Sequence, residues 1–494
     1  MAKKQKTFKP KARAPRGFID RLGKDVIDEQ QMLDRICAVY AQYGFQPLET
    51  SAFEYTDALG KFLPDIDRPN QGVFSLTDDD DQWMSLRYDL TAPLARFVAQ
   101  NYDGLPKPFR RYARGPVWRN EKPGPGRFRQ FTQCDADSVG APAPHADVEC
   151  CLMLADAIEA AGVAPDQFQI RLNDRNVLTG LLIAIGLEEQ EQAETKLHVL
   201  RSMDKYDRLG TEGVAALLGP GRKDASGAFT EGANLADDQI AKVLGFMQAT
   251  KPTNGETCDA LSTLIGDSDV GVTGIETLSA MASQLANLGL DSHRAKIDLS
   301  VIRGLEYYTG PVFEAELLAD LIDAKGNPVQ IGSVASGGRY DDLIKRFKGI
   351  EVPAVGISVG VSRLLACLEL IRGTETAAPG PVVILALDMA EMSGYQQMAK
   401  SLRANGIAAE VYMGGSGMKA QLKYADKRGA ALVVIEGEDE RARGDVTIKD
   451  LVLGAKLSAN IEDNTTWRED QPAQFSVPKQ NIVGAVKEVL ARHG

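Results

Sequence analysis

The sequence predicts an α+β body, with an antiparallel sheet and flanking helices, that carries a helical insertion and is followed by a smaller α/β domain. Three observations predict it. Residues 107–137 read as two alternating, aromatic-rich strands joined by the turn sequence KPGPG. Residues from about 185 to 290 are acidic and helical in pattern, with few other signals. From PVVILALD onward, short apolar strands alternate with helices, the pattern of a mainly parallel sheet.

Composition sets the frame. A chain of 494 residues is expected to form two to four domains. Its 44% hydrophobic and 25% charged residues are those of an ordinary globular protein. No run of about 18 apolar residues occurs, so no membrane span is expected. The start, MAKKQKTFKPKARAPR, lacks the apolar centre of a secretory signal, and the cytoplasm is the expected compartment. A formal net charge of −12 argues against coating nucleic acid but leaves local binding of a folded RNA open. The six cysteines form no CxxC pair and the four histidines are scattered, so free buried thiols are expected and no metal-binding set is legible.

Residues 1–15 form a basic arm: the first sixteen residues carry seven Lys/Arg and no acid. The arm is either simply solvated or in weak, salt-sensitive contact with RNA phosphates. The body is expected over 16–372. Residues 28–43 read as a helix, with Met32, Leu33, Ile36, Val39 and Tyr40 on one face and Gly44 placed to end it. A strand follows near 46–53, and Asp78–Asp81 reads as a turn between strands rather than a calcium loop. Strands are expected over 297–316 and 329–340. Gly356–Leu370 passes from a glycine-rich strand into a helix. Residues 373–381, GTETAAPGP, read as a linker. Beyond it, in 382–494, helices at 391–405 and 418–428 alternate with strands at 408–412 and 431–436.

The chemistry concentrates in four places. Between Lys107 and Arg129 there are eight Lys/Arg and one acid, Glu121, and the arginines are expected to line one face of the strand pair. That density suits an anionic ligand such as ATP, whose charge must be neutralised during displacement at phosphorus. Arg119 and Arg127 flank the loop and can grip phosphates, Glu121 can accept from the adenine amino group, and Phe131 can stack on the adenine. The alternative, an arginine ladder paired with surface acids, suffers from too few acids nearby. GxxxxGK[ST] and GxGxxG loops are absent, so the nucleotide must sit on a sheet. Second, RGLEYYTG at Arg303–Gly310 reads as a strand opened by Arg303, with Gly304 admitting close approach and Tyr307 and Tyr308 pointing to opposite faces. An edge strand with core tyrosines is the alternative. Third, LRYDLT carries Asp89 and Thr91, and QCDAD carries Gln133 and Asp137 on one side of a strand, where Asp137 can bind an ammonium group. Fourth, Arg363 stands in the first turn of a helix, within reach of a terminal phosphate. Lys419, Lys423 and Lys427 repeat every four residues on one helix, either as a solvated face or as RNA-phosphate contacts.

These residues resemble a known family. RGLEYYTG resembles the histidine-specific motif of histidyl-tRNA synthetases. VWRNE followed by GRFRQF resembles motif 2 of class II aminoacyl-tRNA synthetases, and AVGISVGVSRLL resembles motif 3. GGRYDDL, residues 337–343, looks like the same family, and 422–451 is similar to the anticodon-binding domain. The likeness covers most of 15–455. It implies a class II catalytic fold with a C-terminal anticodon-binding domain. It implies activation of L-histidine by ATP and Mg2+ to histidyl-adenylate, followed by transfer to the 3′ end of histidine tRNA by a homodimer. It implies that Asp89, Leu90, Thr91, Arg119, Gln133, Asp137, Arg303, Tyr307, Tyr308 and Tyr340 hold histidine. Arg119, Glu121, Arg127, Phe131 and Arg363 would hold ATP, with Arg303 and Arg119 catalytic; Lys122, Lys419, Lys423 and Lys427 would touch tRNA.

Two departures from the family pattern stand out. Ser51 stands where the motif 1 proline is expected, with Pro47 nearby. Lys122 and Gly124 stand where common bacterial members carry an arginine and a glutamine that read the extra 5′ guanine of histidine tRNA, so weakened reading of that guanine is expected. The principal alternative function is a catalytically silent relative that serves as regulatory subunit of ATP phosphoribosyltransferase. It would lack the anticodon domain and the histidine-motif arginine, both of which this chain has. Threonyl or prolyl synthetases would lack RGLEYYTG, and a non-catalytic RNA-binding module would have no use for the arginine constellation.

Overall fold

The computed structural model describes residues 10–62, 72–124, 128–223, 227, 229–302, 304, 307–319, 322, 326, 332–372, 380–458 and 473–493. The chain divides into two compact units, Met1–Thr374 and Glu375–Gly494. The basic arm lies mostly, and the linker almost wholly, outside the described residues.

In the first unit, helix α1 (Lys24–Gln42) buries Met32, Leu33, Ile36, Cys37 and Tyr40 and ends before Gly44, whose φ of 80° suits glycine. Each fully buried side chain of that kind contributes about 1.5–3 kcal/mol of apolar transfer. Glu29 ties the helix to the rest. Its carboxylate accepts from Thr132 Oγ1 at 2.9 Å and Ser362 Oγ at 3.2 Å. Strand β1 (Gln46–Pro47) follows. Then β2 (Phe53–Tyr55), β3 (Ser75–Thr77) and β4 (Trp83–Leu86) form a small antiparallel sheet. The turn 78–82 is held by Asp78 Oδ1, which accepts from the amides of Asp80 at 2.9 Å and Gln82 at 2.8 Å.

After α2 (Thr91–Asn101) come β5 (Phe109–Trp118) and β6 (Gln130–Val139), paired antiparallel from Phe109↔Val139 to Trp118↔Gln130. Helix α3 (His145–Ala161), β7 (Phe168–Asp174) and α4 (Arg175–Ala184) precede the stretch expected as an insertion, about 185–290. That stretch holds α5 (Ala193–Met203), α6 (Tyr206–Leu218), the hairpin β8 (Gly221–Lys223) and β9 (Phe229–Glu231), α7 (Asp237–Met247), α8 (Asn254–Ile265) and α9 (Asp269–Asn287). This stretch is helical apart from the hairpin, and it shares its core with the sheet. Leu178, Leu181, Leu278 and Met281 join one cluster with Phe313 and Ile357. Helices α4 and α9 cross so closely that a Cβ on Gly180 would sit 2.6 Å from Gly271 Cα. The unit continues with β10 (Ala295–Ile297), β11 (Pro311–Leu317), β12 (Ala335–Arg339), α10 (Lys345–Lys348), β13 (Ala354–Gly360) and α11 (Val361–Arg372).

The main sheet runs β1-β5-β6-β13-β12-β11-β7-β10. Its six central strands are antiparallel, and a parallel strand closes each edge. Alternation on β6 decides the site. Cys134 and Ala136 enter the core beside Cys37 and Tyr40, while Gln133, Asp135 and Asp137 share the opposite face.

The second unit contains β14 (Val382–Ile384), α12 (Met392–Ala404), β15 (Ala409–Val411), α13 (Met418–Lys427), β16 (Leu432–Ile435), α14 (Glu438–Arg443), β17 (Asp445–Asp450), α15 (Leu451–Ser458), β18 (Gln474–Pro478) and α16 (Ile482–Ala491). The sheet order is β15-β14-β16-β17-β18. The mainly parallel sheet expected here is corrected. Pairing is parallel only from β15 to β16, and β17 and β18 add antiparallel edges. Gln421 on α13 is buried and exchanges hydrogen bonds with Ala386, just beyond β14, accepting at 2.9 Å and donating at 2.7 Å. With Gln421 inward, Lys419, Lys423 and Lys427 are all exposed. Among the described residues no helix is long and apolar enough to cross a membrane.

Candidate active site

The polar face of β6 borders a cavity of about 380 Å³ in the first unit. Its wall includes the start of α2, Arg119 after β5, strand β6, Val301, Gly304, Tyr307, Tyr308, and strands β11, β12 and β13 of the same sheet. The volume lies in the range of small-molecule sites.

Asp89 and Thr91 come from the start of α2. The Asp89 carboxylate accepts from the amides of Thr91 at 3.1 Å and Ala92 at 2.9 Å, so it caps the first turn and is held in place. Burial nevertheless pushes its carboxyl above the ordinary value, against those bonds and the charge of Arg119. Leu90 is buried behind the wall, and its carbonyl accepts from Arg111 at 2.8 Å.

Arg119 follows β5. Its Nε donates to the Tyr88 carbonyl at 3.2 Å, and its guanidinium lies 5.0 Å from the Phe131 ring centroid. Phe131 thus supports the arginine. The expectation that the arginines line one face is corrected. Arg110 pairs with Glu149 of α3, and Arg114 pairs with Asp34 of α1 at 2.5 Å. These two belong to the helix-covered face, and their acids come from distant parts of the chain. Arg111 and Arg119 belong to the cavity side. Glu121 and Lys122 are exposed, and the Glu121 carbonyl accepts from Arg129 at 2.9 Å. Arg127 lies outside the described residues.

On β6, Gln133 donates to Ser358 Oγ at 2.7 Å and leaves Oε1 with no protein partner among the described residues. Asp137 does not line the cavity. Its buried carboxylate meets Arg111 at 2.8 Å and accepts from the Tyr340 hydroxyl. Gly356 is required opposite it, because a Cβ there would stand 2.1 Å from Asp137 Oδ1. The residue that does line the cavity is Asp135. It is 1% exposed, and its Oδ1 has no protein partner among the described residues. Burial first, then the charge of Asp137, raises its carboxyl to about 8. No sequence motif singled it out, although the period-2 spacing from Gln133 contains it.

The strand expected at Arg303–Gly310 is corrected for its described residues, Gly304 and Tyr307–Gly310, none of which is in a strand. Gly304 has φ 69°, and its carbonyl accepts from the amides of Tyr307 at 3.0 Å and Tyr308 at 3.1 Å. Both tyrosines therefore reach one cavity rather than opposite faces of a strand. Their rings meet edge-on at 5.0 Å, and Tyr340 lies 5.2 Å from Tyr307. Tyr308 occupies the room that Gly304 leaves: a Cβ there would be 2.3 Å from its ring. Arg303, Leu305 and Glu306 lie outside the described residues. Arg363, in the first turn of α11, donates to the Ser333 carbonyl at 2.8 Å and does not line this cavity.

The arrangement can receive a cationic group against Asp89, Gln133 and Asp135, with Arg119 at hand for a carboxylate or phosphate. Among the described residues no group of three or more His, Cys, Asp or Glu is placed to hold a metal ion. All six cysteines are free and buried.

Comparison with known proteins points one way. A family model described as histidyl-tRNA synthetase matches residues 17–364, and one described as anticodon binding domain matches 381–488. The chain is 54% identical to a histidine–tRNA ligase of Dinoroseobacter shibae, covering 100% of both chains. It is also 54% identical to one of Caulobacter vibrioides, over 98% of this chain and 97% of the relative. Among solved structures, a histidyl-tRNA synthetase from Nostoc superposes with a TM-score of 0.72 at 28% identity, covering 97% of this chain and 100% of the other.

Proposed function

The chain belongs to the histidyl-tRNA synthetase family, and from that membership we infer that it is a histidine–tRNA ligase, which activates L-histidine with ATP and transfers it to histidine tRNA. The observation that carries this is identity of 54% to histidine–tRNA ligases along the whole chain, anticodon-binding domain included. A regulatory relative without that domain is disfavoured. Pyrophosphate exchange with individual amino acids tests the first step, and charging of the tRNA tests the second.

In the first step the histidine carboxylate attacks the ATP α-phosphorus and pyrophosphate leaves. Positioning and charge supply most of the catalysis. We propose that the ammonium rests against Asp89, Gln133 and Asp135 while Thr91, Tyr307 and Tyr308 enclose the imidazole. Asp137, Arg111 and Tyr340 hold the floor. Arg119 faces the reacting carboxylate and α-phosphate, with Arg303 as its catalytic counterpart. Arg127, Glu121, Phe131 and Arg363 serve ATP. In the second step a ribose hydroxyl at the tRNA 3′ end attacks the activated carbonyl and AMP leaves. A pocket that hydrogen-bonds imidazole rejects apolar analogues by roughly 10⁴-fold.

Further proposals concern partners. Mg2+ would arrive on the ATP phosphates, the usual way this ion enters a nucleotide site. Residues 16–372 catalyse and 382–494 read the anticodon, with Lys419, Lys423 and Lys427 on RNA phosphates. The enzyme works in the cytoplasm as a homodimer. Support for a dimer comes from the small sheet, where Tyr55 and Leu76 flank Met84 on one face and are 56% and 44% exposed.

A further inference from the structure

Cys37 of α1 and Cys134 of β6 bring their sulfurs to 3.7 Å across the core. Cys134 is fully buried, whereas Cys37 lines a second cavity, of about 610 Å³, together with Asp34, Tyr112 and Arg114. Cys37, 8% exposed, thus borders a space that small solutes can enter. A disulfide bond is about 2.05 Å long, so joining them requires an approach of roughly 1.7 Å. Helix α1 and strand β6 would have to supply it.

Of the described thiols, Cys37 is chemically distinct. Its sulfur is in hydrogen-bond contact with the Cys134 sulfur; that contact first, and then the charge of Arg114, pull its thiol below the ordinary value against the opposing effect of burial. Asp34 opposes the shift but is itself paired with Arg114. Burial pushes Cys150 and Cys151 far upward, and Cys258 and Cys367 up to about 11. A thiol of raised acidity beside a cavity, with a second thiol in contact, is the arrangement of an attacking and a resolving cysteine.

We infer that Cys37 and Cys134 are a peroxide-sensitive dithiol whose closure to a disulfide lowers histidine activation. The Cys37 thiolate attacks one oxygen of hydrogen peroxide. The O–O bond breaks, hydroxide leaves and is protonated to water, and Cys37 becomes a sulfenic acid. The Cys134 sulfur, giving up its proton, then attacks Cys37 and displaces a second water. Two thiols lose two electrons, and peroxide gains them.

The consequence follows from β6. Cys134 stands between Gln133 and Asp135, which project from the other face into the substrate cavity. Drawing Cys134 toward α1 moves both by a similar distance. Misplacement of about 1 Å in a site can cost around 10²-fold in rate.

The test treats the full-length protein with hydrogen peroxide, then maps peptides without reduction and measures histidine-dependent pyrophosphate exchange. Expected are a linked peptide pair containing Cys37 and Cys134, lighter by two hydrogens, and at least a tenfold fall in exchange. Dithiothreitol reverses both, its own two thiols closing to a ring. Cys37→Ala, which leaves the cavity wall of β6 untouched, should keep its exchange rate under the same treatment. Cys134→Ala provides a second resistant variant if the first folds poorly. Absence of the linked pair overturns the inference. So does a linked enzyme with unchanged exchange, or a Cys37→Ala enzyme that is inhibited as strongly as the wild type. The activity arm rests on the ligase reading; the peptide map does not, so failure of one is distinguishable from failure of the other.

Discussion

The Asp137 carboxylate and the Arg111 guanidinium meet at 2.8 Å with both side chains almost wholly buried. A buried pair of this kind holds a site in shape more than it adds stability. Arg111→Met strands the Asp137 charge beside Asp89 and Asp135. We expect a loss of about 3–5 kcal/mol in urea unfolding, the range for breaking one partner of a buried pair. Recovery of part of that loss in Arg111→Met/Asp137→Leu would confirm the coupling; no loss in the single variant would refute it.

Asp135 makes the enzyme pH-dependent in a defined window. Its carboxyl is raised to about 8 in the folded protein, against about 3.9 for a free aspartate. The unfolded chain therefore ionises it first. Stability from this group is complete below about pH 4 and is lost progressively up to about pH 8. Asp135→Asn should remove close to one proton from the pH slope of unfolding between these limits. An ammonium group bound beside Asp135 favours its ionised form, so histidine binding near pH 7 should expel up to one proton. Calorimetry in buffers of different ionisation enthalpy measures this, and equal proton release in wild type and Asp135→Asn would count against the assignment.

Gly304→Ala should damage histidine binding more than folding. The new Cβ would meet the Tyr308 ring at 2.3 Å, at a φ of 69° that side chains rarely adopt. The turn would open and Tyr307 and Tyr308 would shift together. We expect the KM for histidine to rise tenfold or more with a cooperative melt retained. An unchanged KM would mean that the tyrosines do not enclose the substrate.

Charging should depend little on the extra 5′ guanine of histidine tRNA. The family resemblance places Lys122 and Gly124 where common bacterial members carry an arginine and a glutamine that read it, and Lys122 is exposed. Transcripts with and without the guanine should differ by less than tenfold in kcat/KM. A loss of several hundredfold on its deletion would show that other residues read it.

The sequence made the strand pair β5–β6 legible because alternation and a turn signal coincide there. Gln133 could be placed on a face by counting. Four things were not local enough to read. The acids that occupy Arg110 and Arg114 are Glu149 and Asp34, on helices remote in sequence. RGLEYYTG alternates like a strand, yet the positive φ of Gly304 folds it into a turn, and Tyr308 is fixed there by Gly338 of β12, where a Cβ would come within 2.7 Å of its ring. Asp137 has the spacing of a substrate ligand, but Arg111 and Tyr340 engage it from other strands and loops, which leaves Asp135 to face the cavity. The antiparallel edge of the second unit depends on β17 and β18, whose partners are settled only by the completed sheet.

Amino-acid-dependent exchange of labelled pyrophosphate into ATP tests the central claim most directly. With purified protein and each of the standard amino acids in turn, exchange should appear with L-histidine and with no other. Asp135→Asn and Arg119→Ala should each lower it by at least tenfold while retaining a cooperative melt. A folded wild-type protein that shows no histidine-dependent exchange, or that exchanges equally with another amino acid, would contradict the assignment.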